Sequence, residues 1–256
     1  MCVTVQTIED ILNELAPMET AESYDNVGAL VGCRNVEITG VLVALDCTMD
    51  VVQEAKKLNA NLIVSHHPLM FHSRKNMLEE DAEGRILCEL IRSRISLIAA
   101  HTNLDQTEYS GSACCARLLG LQNLRKEGNY LFVGELEKPI PAMKLENRIS
   151  QALQFPTRCY GDGSALIHTL AIAGGADDGD WLAAKGLGAQ ALLTGEVRHH
   201  NALAASMSGF VIFDGGHYGT EAPLVPGLAE YLQNRINGVQ YNVRVYPSQC
   251  APFGSV

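Results

Sequence analysis

The residues best suited to chemistry in this chain are histidines and carboxylates placed just after short apolar runs. NLIVS is followed by His66, His67 and Pro68, and SLIAA by the run from His101 to Asp105. ALLTG leads to Glu196 with His199 and His200, and FVIFDGG to His217, Tyr218, Gly219, Thr220 and Glu221. Six of the eight histidines fall at these four places. Ligands in open α/β sheets collect beyond the carboxyl ends of the strands, so these are the positions where polar side chains act. Imidazole and carboxylate are the usual protein ligands of Zn, Mn, Fe and similar divalent ions, and a mixed set can hold two ions close together. A single histidine at a strand end is usually a hydrogen-bonded core or surface residue. The five residues His66, His67, Asp105, His217 and Glu221 taken together point to a metal site, because buried polar clusters are costly without a compensating partner.

Adjacent side chains on a regular strand face opposite ways, so His66 and His67 can each serve a different ion once the strand ends and the backbone turns. His217 and Glu221 both point inward if Glu221 opens a helix, with Gly219 relieving the turn between them. His101 is either a further ligand or, the reading we favour, a group that orients Asp105. His199 and His200 begin a helical pattern and suit substrate or metal contact, or a capping or surface role. His72 and His168 read as structural or exposed.

Around these residues, apolar β-branched runs alternate with helix-period segments, the signature of an α/β sheet with parallel strands. Strands are expected at 38–45, 61–65 and 96–100, with helices near 49–59, 80–94 and 110–119. In the second half, NYLFVGEL, HTLAIAGG, AQALLTG and GFVIFDG read as strands among helices at 141–153, 178–187, 200–207 and 221–235. The charged, turn-rich segment 121–129 is the expected boundary, which divides the chain into lobes 1–125, with His66, His67 and Asp105, and 126–256, with His217 and Glu221. Gly174 and Gly175 suggest a phosphate-cradling turn, but Asp177, Asp178 and Asp180 would repel phosphate, so a tight turn with Asp near a helix N-terminus is the expectation.

The bulk properties narrow the class. With 47% hydrophobic and 19% charged residues the chain is an ordinary globular protein. A net charge of −10 disfavours binding to nucleic acid or anionic membranes. Glu9 and Asp10 interrupt the N-terminal run before it could form a signal peptide, and no stretch approaches the roughly 20 apolar residues of a membrane span, so a cytoplasmic protein is expected. The eight cysteines contain no C-x-x-C pair, and most read as reduced, buried apolar residues.

These segments resemble the Nif-three-like family of dinuclear-metal proteins, also called GTP cyclohydrolase 1 type 2 homologues. The resemblance rests on Ser23 to Gly28, Ala44-Leu45-Asp46, Ser65 to Leu69, His101 to Asp105, Thr194 to His200 and Gly216 to Glu221. It covers nearly the whole chain, departing at Tyr24, where Trp is common, and Glu196, where Asp is common. It implies two linked α/β lobes with a dinuclear metal site in the cleft between them, a toroidal homohexamer, and the ligands His66, His67, Asp105, His217 and Glu221. The length fits family members without an inserted domain.

Two classes of function fit. One is a hydrolase in which two Zn, Mn or Fe ions activate water against a nucleotide. For GTP, hydroxide would attack the imidazole ring carbon, release formate and permit rearrangement to dihydroneopterin triphosphate. A two-metal phosphoesterase is a variant of this class. Here Glu221 or Asp105 is the candidate bridging carboxylate, and His101, Glu196 and His200 are candidate proton carriers. The other class is a non-enzymatic metal-binding, metal-trafficking or regulatory hexamer.

Overall fold

The computed structural model describes residues 2–176, 179–238 and 242–251. They divide into two compact units, Met1–Thr107 with Val225–Val256, and Glu108–Leu224. The chain therefore leaves the first unit and returns to it, and the division differs from the expected one at 125/126. The 121–129 segment, read as a linker from its charge, is instead mostly strand.

In the first unit the order is α1 (Val5–Leu15), β1 (Gly28–Val31), β2 (Gly40–Ala44), α2 (Met49–Lys57), β3 (Leu62–Ser65), α3 (Ala82–Arg92), β4 (Ser96–Ala99) and the short helix α4 (Thr102–Asp105). In the second it is α5 (Gly111–Leu118), β5 (Gln122–Glu127), β6 (Leu131–Pro141), α6 (Ala142–Leu153), β7 (Arg158–Tyr160), β8 (Leu166–Ala176), α7 (Trp181–Gly186), β9 (Ala191–Gly195), α8 (His199–Met207), β10 (Val211–Asp214) and α9 (His217–Glu221). Helix α10 (Leu224–Asn237) and β11 (Arg244–Pro247) return to the first unit.

The first sheet has the order β1-β4-β3-β2-β11, with β4, β3, β2 and β11 parallel and β1 antiparallel on the edge. The second has the order β5-β6-β8-β9-β10-β7, and only β8, β9 and β10 run parallel. The expectation of parallel strands is thus correct for the strands that precede the functional segments and wrong for β1, β5, β6 and β7, which pair antiparallel. Hairpin pairing needs only a short turn, which β5 and β6 supply around Gly128 at φ +62°.

Both sheets are covered on two faces, which is why their parallel strands read as unbroken apolar runs. In the first unit Leu42, Ala44, Ile63 and Leu97 pack with Val51, Val52 and Ala55 of α2 and Leu90 of α3. The alternate residues Val41, Val43, Leu62, Val64 and Ile98 are equally buried. In the second, Leu170, Ile172, Leu193 and Phe213 face α5 and α6, whereas Ala171, Leu192 and Ile212 join Trp181 of α7 and Ala205 of α8. Each such Leu or Ile contributes about 2 kcal/mol of burial. Helix starts are set by side-chain caps: Thr4, Thr48, Asp81 and Ser110 accept backbone N–H groups at the heads of α1, α2, α3 and α5.

Candidate metal centre

In the first unit, β3 ends at Ser65 and the chain bends, but the backbone ladder continues for two residues. His66 N donates to Ala44 O at 3.0 Å and His67 N donates to Leu45 O at 2.9 Å. The two rings then lean towards opposite neighbours. His66 Nδ1 donates to Ala100 O at 2.9 Å, beyond β4, while His67 Nδ1 donates to Asp46 Oδ1 at 2.8 Å, beyond β2. The ring centroids remain 5.0 Å apart. His101 follows β4, and its ring centroid lies 5.1 Å from that of His66 and 5.4 Å from that of His67. One ligand atom from each of these three histidines lies within 4.8 Å of the others, a spacing that one ion can span.

His101 Nδ1 donates to Asp25 Oδ1 at 2.9 Å. The Asp25 side chain is fully buried, and it also accepts from Thr102 N at 3.0 Å and Thr102 Oγ1 at 2.5 Å. Burial alone would raise its pKa, but the hydrogen bonds from His101 and Thr102 hold the carboxyl well below the usual carboxylate range. Asp105 closes the single turn of α4, its N–H donating to His101 O at 3.0 Å, and its Oδ1 lies 3.5 Å from His66 Nε2. The His101 ring thus serves Asp25 and packs with His66 and His67, while the helical bond to His101 O sets the backbone of Asp105.

In the second unit, β10 ends at Asp214 and Gly216 takes φ +69° before α9 begins at His217. Glu221 does not open a helix, as the sequence suggested, but closes one. His217 and Glu221 stand at i and i+4 on one turn, with Nε2 and Oε2 3.1 Å apart. Nor does Gly219 relieve a turn. Its backbone is helical, and an added Cβ would come within 2.9 Å of Phe155 Cδ1 and Cγ. The left-handed position is Gly216.

His217 Nδ1 donates to Glu196 Oε1 at 3.0 Å. Glu196 follows β9 with φ +54°, a conformation that costs a non-glycine residue energy and aims this exposed carboxylate back at His217. Gly175, at φ +76°, lies at the end of β8, where a Cβ would stand 2.5 Å from Glu221 Oε1. Gly174 N donates to Ser112 Oγ and Gly175 N to Thr220 Oγ1. These glycines lie within a strand rather than in the tight turn expected, and their N–H groups tie β8 to α5 and α9 instead of cradling phosphate. Asp180 stands at the N-cap of α7, and Asp177 and Asp178 lie outside the described residues. His199 and His200 open α8 and are exposed.

A common pattern unites His66, His67, His101 and His217. Each gives its Nδ1 proton to an oxygen, which leaves Nε2 as the electron-pair donor of the neutral ring. For His66 and His217 that nitrogen faces a carboxylate oxygen at 3.5 and 3.1 Å. Two lone pairs at this distance repel unless a proton or a cation lies between them. The donor set therefore fits a divalent ion such as Zn, Mn or Fe. Reading the strand ends did not assign roles to Asp25, Asp46 or the Ala100 carbonyl. The signal for Asp46 was its position just after a strand-like run and for Asp25 its place in the polar stretch Ser23–Asn26 ahead of β1, but which imidazole each serves is settled only by folding.

The fold and the donor set together define an α/β protein with histidine and carboxylate groups suited to divalent metal. A family model for Duf34/NIF3 (NGG1p interacting factor 3) matches residues 3–252, and the chain belongs to that family. A Clostridium perfringens protein named GTP cyclohydrolase 1 type 2 homolog is 32% identical, with 90% of this chain and 91% of that protein covered. A protein of the same name from Clostridium acetobutylicum is 28% identical, with 97% of each covered. Among solved structures, a hypothetical protein of Staphylococcus aureus superposes with a TM-score of 0.94 at 29% identity, covering 100% of both chains. A Bacillus cereus protein related to NIF3 shares the fold at a TM-score of 0.92 and 22% identity, over 98% of each chain.

Proposed function

We propose that the protein is a metal-dependent hydrolase acting on a small nucleotide, with two divalent ions per chain held by His66, His67, Asp105, His217 and Glu221. The observation that carries this reading is the shared Nδ1 anchoring, which fixes four imidazoles in the tautomer that donates through Nε2 beside Asp105 and Glu221. Structural zinc sites are usually closed by four Cys or His ligands, whereas mixed histidine and carboxylate sets leave positions for water. Bound divalent ions would supply a water acidified towards neutrality and positive charge to hold phosphate. That charge matters in a chain whose own net charge is −10.

The chain's groups orient and move protons. Ala100 O, Asp46, Asp25 and Glu196 hold the four rings in place through their Nδ1 protons. Glu196, exposed and bonded to His217, is the first candidate proton carrier, with His101 and the exposed His200 behind it. Because the similar clostridial proteins carry the GTP cyclohydrolase 1 type 2 homolog name, GTP is the first substrate to test.

The test supplies GTP and a panel of other nucleotides to protein reconstituted with Mn, Fe or Zn, and measures formate and phosphate. Release of either is expected, is abolished by chelator, and falls by orders of magnitude in Asp105→Ala. Metal-loaded protein that releases neither from any nucleotide would replace this reading with a metal-trafficking or regulatory one.

A further inference from the structure

Among the described residues, Tyr24 and Phe71 are the two aromatic side chains that stand out as exposed large hydrophobics, at 63% and 40% exposure. They are not scattered. Their ring centroids lie 6.2 Å apart with the planes at 57°, and the Phe71 centroid is 6.2 Å from that of His101, edge to face at 80°. Aromatic surface is normally buried, and a large ring left in water beside a polar site is a common means of holding an apolar or planar ligand.

The loops that carry these rings are held by partly buried hydrogen bonds. Tyr24 is followed by Asp25, whose carboxylate is locked by His101 and Thr102. Next comes Asn26, whose Nδ2 donates to Met70 O at 2.6 Å, directly before Phe71. Glu22 N donates to Thr102 Oγ1 at 3.0 Å. These hydrogen bonds hold the backbone on either side of both aromatic rings, one of them through the carboxylate that also orients His101, which lowers the ordering cost of presenting the rings to a ligand.

We infer that Tyr24 and Phe71 form a stacking platform for the planar aromatic ring of a ligand whose anionic end is held by the metal ions, a nucleobase being the ring chemistry that fits. This rests on the metal-dependent reading for the anionic end alone. Stacking on a protein ring is indifferent to base identity, since every base presents a π-face, so the platform selects for a ring and not for a particular base.

The experiment is calorimetric titration of the full chain with guanosine monophosphate and with ribose 5-phosphate, which has the same sugar phosphate and no aromatic base. Both are run on Mn-loaded and on chelated protein, with metal content measured in every sample. The wild type is expected to bind the nucleotide at least roughly tenfold more tightly than ribose 5-phosphate. The doubly substituted Tyr24→Ala, Phe71→Ala protein should lose that preference, with ribose 5-phosphate binding and metal content unchanged. Tyr24→Trp should keep the preference, because it presents a larger ring. Should the double variant fold poorly by circular dichroism, Tyr24→Leu alone, at the more exposed position, supplies the comparison. Equal affinity of the wild type for the two ligands, binding of neither, or full nucleotide affinity in the ring-deleted variants would overturn the platform. Absence of metal from the wild type would instead sink the hydrolase reading, while the preference measured on chelated protein still decides the platform.

Discussion

Each imidazole of the candidate centre is backed by an oxygen acceptor, and the acceptors differ in how readily they can be removed. Ala100 contributes a backbone carbonyl, Asp25 a fully buried carboxylate, and Glu196 an exposed carboxylate on strained backbone. Loss of such a supporting hydrogen bond typically weakens metal binding about 10–100-fold. Glu196→Ala should do so without unfolding, since its side chain is exposed and its φ of +54° is relaxed most by glycine. Equilibrium dialysis against a competing chelator reads the change, and Glu196→Gly should match the alanine variant in metal affinity. A second buried carboxylate, Glu9, serves structure. It accepts from Arg34 Nε at 2.6 Å and Ala29 N at 2.9 Å. The Arg34 hydrogen bonds, opposed by burial and helped by Ala29 N–H, hold its carboxyl below the usual range. A lowered folded-state pKa stabilises the fold above the unfolded value, about 4.3, and that contribution is lost as pH falls through the folded value. Glu9→Gln should therefore be less stable than wild type at pH 7 by about 1–2 kcal/mol in urea unfolding, with the gap narrowing below about pH 4. The buried Cys47 beside Asp46 is an inert thiol, since burial first and the Asp46 charge second push it up to about 12.

Short helices and strand ends do the positioning, and this level was only partly legible in the sequence. The parallel strands and the longer helices followed from apolar runs of 4–5 residues alternating with helical periodicity. The one-turn helix α9 is too short to show a period, so the His217–Glu221 interval was read as a turn running into a helix. Strand β5 was missed because its residues are largely exposed and half of them charged, so it shows no apolar alternation, and it is held by backbone pairing with β6 and an exposed hydrogen bond from Asn123 to Glu135. The fixed seat of α9 comes from glycines 216 and 219 packing against Phe155, a contact made over some 60 residues of chain and invisible to local pattern. Gly219→Ala should displace α9, destabilise the protein by about 1–3 kcal/mol and weaken metal binding. Combining it with Phe155→Ala should cost less than the sum of the two single changes, because alanine lacks the colliding Cδ1 and Cγ atoms. Thermal unfolding and metal titration of the single and double variants measure this directly, and additive losses would show that the contact does not seat α9.

The whole molecule consists of two units, each with its own covered sheet and its own share of the candidate ligands. His66, His67, His101 and Asp105 belong to the first, and His217 and Glu221 to the second. The boundary was misplaced in the sequence because charge and turn residues mark a hairpin as readily as a linker, and the return of α10 and β11 to the first unit leaves no compositional trace. No helix among the described residues is long and apolar enough to cross a membrane. We propose a closed homo-oligomer, a hexamer as the family resemblance implies, since closed symmetry is the usual state of soluble assemblies. Sedimentation equilibrium at micromolar concentration should give a mass near six chains, and a strict monomer would contradict it. The α/β cores do not depend on the candidate ligands, so the metal question can be put to the folded chain. The decisive measurement is elemental analysis after reconstitution with Mn, Fe or Zn and removal of excess ion, on wild type, His67→Ala and Glu221→Ala, with circular dichroism on the same samples. About two ions per wild-type chain, and clear loss in both variants with secondary structure retained, is the expected result. A reconstituted wild type that holds no divalent metal would contradict the account.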